Sequence, residues 1–205
     1  MAKLPAPPHR LPVPAITTTL RAGMRLWRVY FAGGAHPATW NGFRFFGPTH
    51  ARFDHHDLPK GVHATRAIFY AADDLTTCLA EVFQAKRIIN RTSNAPRIVG
   101  FDLVRDVLLL DLTGLWPTRA GASMAISSGR RDRARQWSRA IHAAYPNVEG
   151  LFYGSSMHAS RPTVAFYERA QTALPPAPAL DRSLDDAALR RRFSAAATRL
   201  GYGIV

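Results

Sequence analysis

The chain has 205 residues, 47% of them apolar and 20% charged, which suits one domain with a real core and excludes a disordered chain. Its 27 Lys and Arg against 14 Asp and Glu leave a net charge of +13, an attraction to anions that does not choose among nucleic acid, an acidic protein and a phosphorylated small molecule. The single Cys78 rules out an internal disulfide framework, and no apolar run is long enough to span a bilayer as a helix.

Residues 1–24 are rich in proline and threonine. Pro5, Pro7, Pro8, Pro12 and Pro14 break up any apolar core of a secretory signal, so a reducing compartment, the cytoplasm, is expected. The same prolines predict an extended arm with no core of its own, the domain proper starting near Arg25 and running to residue 205. Alternating or β-branched and aromatic stretches predict strands at Leu26 to Phe31, Ala67 to Ala72, Ile98 to Leu103, Leu108 to Leu112, Leu151 to Tyr153 and Thr163 to Tyr167.

Asp73 or Asp74 can cap a helix whose Leu75, Leu79, Val82 and Phe83 share a face. Arg130 to Tyr145 reads as a second helix, with Ala134, Trp137, Ile141 and Tyr145 on one side, arginines on the other and Pro146 past its end. A third is expected from about Leu184 to Leu200, with Ser183 and Asp186 at capping-box spacing and Pro175 to Pro178 as the linker into it. Strands and helices mix without regular alternation. The expected fold class is therefore α+β, a single domain.

Several residues could carry chemistry. Glu81 falls at the edge of its helix's apolar stripe, next to Cys78, where it can face a cleft or solvent. Arg28 stands inside the apolar strand LWRVYF, where a cation needs either a structural ion pair or an anionic ligand. Arg52, in ARF after a turn-like GPTH, poses the same choice. Tyr70 ends a strand that feeds the helix of Glu81, a place where ligand crevices form. Ser155 and Ser156 follow the strand GLFY through Gly154, without the Gly-x-Ser-x-Gly elbow of a serine hydrolase. The tract His50, Asp54, His55, His56, Asp57 and His63 lacks regular ligand spacing, so a polar loop is expected there rather than a metal site. There is no P-loop and no GxGxxG.

In combination, RVYF at 28–31, Arg-Phe at 52–53, RAIFYAADDLTTCLAEVF at 66–83 and LFYGSS at 151–156 resemble the RES domain, a family named for its Arg, Glu and Ser. The resemblance covers about residues 25–168. It implies that Arg28, Arg52, Tyr70, Glu81 and Ser155 form the site, with Ser155 aligned in preference to Ser156. WNGFRFFGPTHARF departs from the family's shorter approach to Arg-Phe, which leaves Arg44 as a competitor of Arg52.

The resemblance further implies a split mixed sheet with flanking helices, akin to ADP-ribosyltransferases, around a cleft for NAD as substrate, with no metal. It implies a bacterial toxin role beside an Xre-like DNA-binding antitoxin that blocks the cleft, and the chain's own surplus of arginine suggests that the blocking segment is acidic. Chemically, nicotinamide is a cationic leaving group that departs from NAD without a general acid, so one carboxylate beside the oxocarbenium ion can suffice where ordinary glycosidases use two. Glu81 would then stabilise that cation, Arg28 and Arg52 hold the pyrophosphate, Tyr70 stack on nicotinamide and Ser155 bond the ribose or amide. Water as acceptor gives hydrolysis, phosphate gives phosphorolysis and a protein side chain gives ADP-ribosylation. A different class, a nucleic-acid-binding module, would use Arg130, Arg131, Arg133, Arg135 and Arg139 as phosphate contacts, though no helix-turn-helix or RRM signature accompanies them. An inactive relative that only holds a partner is the third reading.

Overall fold

The computed structural model describes residues 4–205. Eight strands form one sheet. In chain order they are β1 (Thr17–Leu20), β2 (Arg25–Phe31), β5 (Ile68–Ala72), β7 (Pro96–Asp102), β8 (Val107–Asp111), β9 (Gly150–Gly154), β10 (Pro162–Tyr167) and β11 (Leu180–Ser183). Two small ribbons accompany it, β3 (Phe46–Gly47) with β4 (Gly61–Val62) and β6 (Ile88–Ile89) with β12 (Gly203–Ile204). The helices are α1 (Leu75–Val82), α2 (Trp116–Arg119), α3 (Arg131–Ala144) and α4 (Arg190–Leu200). The result is a mixed α+β single domain.

The sheet order is β1-β8-β9-β10-β5-β2-β7-β11, with β8 and β9 parallel and the other neighbours antiparallel. Its pairing is uneven. β2 is zipped to β7 along all seven residues, Arg25 to Phe31, yet meets β5 at one Cα pair, Trp27 with Ala72. Past that pair the two strands part, so the sheet is split between β5 and β2. The split opens the crevice that carries the candidate site.

The six strands expected from alternation are β2, β5, β7, β8, β9 and β10. In β5, Ile68, Phe69, Ala71 and Ala72 are all buried, as a central strand covered on both faces requires. Asp74, not Asp73, caps α1 by accepting from the Thr77 amide. In α1 the buried run is Thr77 to Ala80, while Val82 is partly exposed instead of joining the core.

Two expectations are corrected. The residues read as an arm without a core are built into the domain: β1 forms the sheet edge along β8, Leu4 is buried, and Leu11, Val13 and Ile16 pack on the same cluster. Trp137 Nε1 donates to the Pro5 carbonyl and Tyr145 to that of Val13, so α3 holds the segment by hydrogen bonds as well. The terminal helix also starts later than its stripe suggests. Leu180–Ser183 pairs with β7, Asp186 caps a 3-10 turn over Ala187–Leu189, and α4 begins at Arg190. It ends at Gly201, whose φ of +66° lets the Tyr202 amide bond back to the Ala197 carbonyl.

Candidate functional site

A cleft of about 1060 Å³ opens where β2 and β5 part. Arg28, Arg44, Arg52, Tyr70, Glu81 and Ser156 line it. Among its described lining residues Glu81 is the one acid, against Arg28, Arg44, Arg52, Lys60 and Arg131.

Glu81 projects from the last turn of α1. Behind it lies Ser155, at 2% exposure, which directly follows β9 and is not itself a lining residue. The Ser155 hydroxyl donates to Glu81 Oε1 and accepts from the amides of Met157 and His158, both at 3.1 Å. With two amides fixing the oxygen, its proton has one direction left, toward the carboxylate. Ser155 therefore orients Glu81 from behind, a different place from the expected direct contact with ribose or amide, and Ser156 is the serine on the cleft wall. On the other side, Gln84 donates to the Glu81 carbonyl at 2.6 Å and accepts from Arg131 at 2.9 Å.

The arginines divide by partner. Arg28 rises from β2 with its guanidinium carbon 4.0 Å over the Phe69 ring, donates to the Gly42 carbonyl at 3.3 Å, and keeps a buried Nε without a partner. Burial pushes its pKa down to about 10, and the nearby Arg44 adds to the fall. It stays charged at neutral pH. A cation-π contact is worth about 1–2 kcal/mol, less than the several kcal/mol lost on desolvating an ion, so this cation is left short of a counter-ion. Arg44, by contrast, is committed to Asp54 at 2.9 Å and to the Phe46 carbonyl. Arg52 donates to the Gly129 carbonyl at 2.6 Å; burial lowers its pKa and Arg131 lowers it further. Of the two competitors, Arg52 has the guanidinium without a carboxylate partner among the described residues.

Tyr70 holds its hydroxyl against the Phe53 amide at 3.3 Å, leaving its ring on the cleft wall beside Tyr153. Both phenols are driven up by burial. Cys78 donates to the Trp27 carbonyl at 3.0 Å, and burial pushes its thiol far up, so it is no nucleophile.

The histidine tract departs from the expected polar loop. Asp54, His55 and His56 are fully buried. Asp54 accepts from Arg44, both Thr49 donors and His56, and these bonds outweigh burial to depress its pKa. His55 stacks on His142 at 4.5 Å, and both rings reach Glu168, at 3.2 and 2.7 Å. His55, His142 and Glu168 have the composition of a metal triad. The donor set does not fit one: Arg66 and Arg169 point guanidinium N–H groups at His142 Nδ1, 3.3 and 3.4 Å away. That nitrogen must accept, so Nε2 carries the proton and offers no lone pair to a cation. The triad is a hydrogen-bond clamp joining the 54–56 loop, α3 and the end of β10.

Residues that the sequence did not assign to this cleft also border it, among them Gln84, Ser127, Arg131 and Tyr153. Arg131 had a signal, since it begins the arginine face of α3, but that face was read as pointing to solvent or nucleic acid. Much of it is engaged internally: Arg130 with Asp132, Arg131 with Gln84, Arg133 with Gln136 and Arg139 with the His56 carbonyl.

The family model of the RES domain matches residues 25–188. A chain of the crystal structure of the M. tuberculosis MbcT-MbcA toxin-antitoxin complex is similar to this one, with a TM-score of 0.57 and 18% identity over 86% of this chain and 92% of that one. No curated protein matches. With the match spanning most of the chain and the split sheet holding Arg28, Glu81 and Ser155 around one cleft, this protein belongs to the RES-domain family.

Proposed function

We propose that this chain is the toxin of a toxin-antitoxin pair and cleaves the nicotinamide N-glycosidic bond of NAD. The observation that carries the reading is the charge pattern of the cleft: one oriented carboxylate, Glu81, set among cations of which the most deeply placed, Arg28, has no carboxylate partner. A dinucleotide matches that pattern, since its pyrophosphate is anionic and its reacting sugar becomes cationic. Membership of the RES family and the likeness to a chain of a toxin-antitoxin complex support the assignment.

Arg28 and Arg52 bind the pyrophosphate, and Tyr70 offers its ring to nicotinamide. Glu81, aimed by Ser155, stabilises the oxocarbenium ion electrostatically as nicotinamide leaves. Water, phosphate or a protein side chain then takes the ribosyl carbon. The partner is an Xre-like antitoxin whose acidic segment occupies the cationic cleft, and the surplus of arginine speeds their encounter. The protein works in the cytoplasm, where NAD is found.

The test is incubation of purified protein with NAD and separation of the products, with and without phosphate. Loss of NAD with release of free nicotinamide is expected. In cells, expression without a partner should deplete NAD and arrest growth. Normal NAD in both settings with folded protein would sink the reading.

Arg28→Ala should weaken NAD binding by about tenfold to a hundredfold, the loss of one charge-assisted contact. Calorimetric titration of NAD into the Glu81→Gln background measures it. Arg44→Ala should cost little affinity but lower the melting temperature, because it takes the guanidinium counter-charge from the buried Asp54 and leaves only Thr49 and His56 on it. The opposite ranking would move the anion contact to Arg44.

A further inference from the structure

The arginines of α3 are largely engaged within the fold; those of α4 are not. Arg190, Arg191, Arg192 and Arg199 are exposed, and none makes a hydrogen bond or ion pair among the described residues. The helix holds no acid of its own. Arg190, Arg191 and Arg192 stand in its first turn, where a cation faces the positive end of the helix and lowers its stability. The fold therefore gives no reason for them. Beside them lies a groove of about 370 Å³, where α4 meets β2 and the start of α1. Trp27, Leu75 and Ala196 are buried or half-buried in it, and Arg192 and Arg199 border it two helical turns apart, about 10 Å along the axis. Asp74, the one acid among its described lining residues, is committed to capping α1 and to His158, and pairs with neither arginine. Successive residues of a strand point to opposite faces, so Trp27 looks away from the side of β2 that carries Arg28. No described residue lines both the groove and the cleft. The helix also lies beyond residues 25–188, the stretch that the family model matches.

We infer that this groove docks an acidic protein segment, with an apolar side chain seated against Trp27 between two carboxylates that pair with Arg192 and Arg199. An apolar base bordered by unpaired cations is complementary to that pattern: the apolar side chain is the anchor, and the charges form the rim that sets its register. Other occupants fit less well. A second copy of this chain would bring its own net charge of +13 and the same arginines against these. A nucleic-acid backbone would meet the arginines but offer the apolar base nothing. A bilayer surface takes up an exposed apolar helix face, and here Phe193 and Ala197 are packed into the core. Docking in the groove does not depend on the chemistry of the cleft.

The experiment is a fluorescence-anisotropy titration of the full chain with a labelled peptide of repeated Glu-Glu-Leu, in which carboxylates recur about 10 Å apart in an extended chain with leucine between them. Polyglutamate of the same length and a DNA duplex are titrated alongside. The repeat peptide should bind at least tenfold more tightly than polyglutamate, and more tightly than the duplex. Arg192→Glu with Arg199→Glu should weaken it at least tenfold, and so should Ala195→Trp, which fills the groove from an exposed helix position. Arg10→Glu with Arg119→Glu, which changes the net charge equally at exposed positions elsewhere, should stay within twofold of the parent. Arg192→Glu alone should hold or raise the melting temperature, since it sets an acid at the positive helix end; a structural arginine would do the reverse. Tighter binding of the duplex would hand the surface to nucleic acid. Equal binding of polyglutamate, or an equal loss in the Arg10 and Arg119 control, would reduce it to bulk charge. Unchanged affinity in both α4 variants would place the peptide in the cleft, and each of these results, like a parent that binds no peptide, overturns the docking site. NAD turnover in the α4 variants should equal that of the parent; a parent without turnover removes the glycosidic reading and leaves the groove to be judged on the peptide alone.

Discussion

If the proposed activity is right, Glu81→Gln should lower NAD consumption by about 10²–10³-fold and leave the fold intact. The magnitude is that of removing one preorganised group aimed at charge that develops in a transition state. The amide keeps the size of the carboxylate and can still accept from Ser155 through its oxygen, so the hydrogen bond that positions the side chain survives while the charge does not. Charge is therefore the variable tested. No other acid lines the described cleft to substitute for it. Ground-state binding of NAD should change little, because the cation that Glu81 is proposed to stabilise forms only as nicotinamide departs, so the loss belongs in kcat more than in KM. A cell-free assay of nicotinamide release, paired with thermal melts, measures both halves. Near-normal turnover from the variant would remove Glu81 from the chemistry.

The strands that border the cleft were legible because each is short, apolar and β-branched or aromatic, and buried on at least one face. Glu81 was legible as an edge residue for a related reason: helix periodicity reports which side of α1 is apolar, and the cleft runs along the margin of that side. Periodicity could not report what stands behind the helix: the contact of Ser155 with substrate was implied by the family resemblance alone, and the bond from its hydroxyl to Glu81 joins β9 to α1 across the fold, where no local pattern records it. β1 and β11 escaped notice because edge strands draw their stability from a neighbour and not from their own pattern: Thr17–Leu20 has nothing of its own to bury beyond Leu20. The clamp of His55, His142 and Glu168 is assembled from segments far apart in the chain. No local spacing encodes such a set, and the polar letters around His55 looked like surface.

That clamp predicts the largest loss of stability from one substitution. Glu168→Ala removes a carboxylate that accepts from His55, from His142 at 2.7 Å and from the Ala67 amide at 3.1 Å. Three donors, two on buried rings, are left unpaired, and breaking such a network costs about 3–5 kcal/mol. At about 2–4 °C per kcal/mol for a chain of this size, the melting temperature should fall by roughly 10 °C. The wild-type protein should also lose stability in mild acid, with a sign that both groups share. Burial, the largest influence on His55, lowers its pKa to about 4 from an ordinary 6.5; protonation then favours the unfolded chain, and stability drains away as pH falls from 6.5 toward 4. Glu168 is held well below its ordinary range because the two histidines and the Ala67 amide together outweigh burial, so its contribution is present above the usual carboxylate pKa and is lost below it. Thermal melts of wild type and Glu168→Ala across pH 4 to 8 separate the two effects. The variant should start lower at pH 7.5 and lack the limb below about pH 4.5 that Glu168 supplies. A melting temperature within about 2 °C of wild type at neutral pH would show that the clamp is dispensable and that apolar packing alone holds α3 to the sheet.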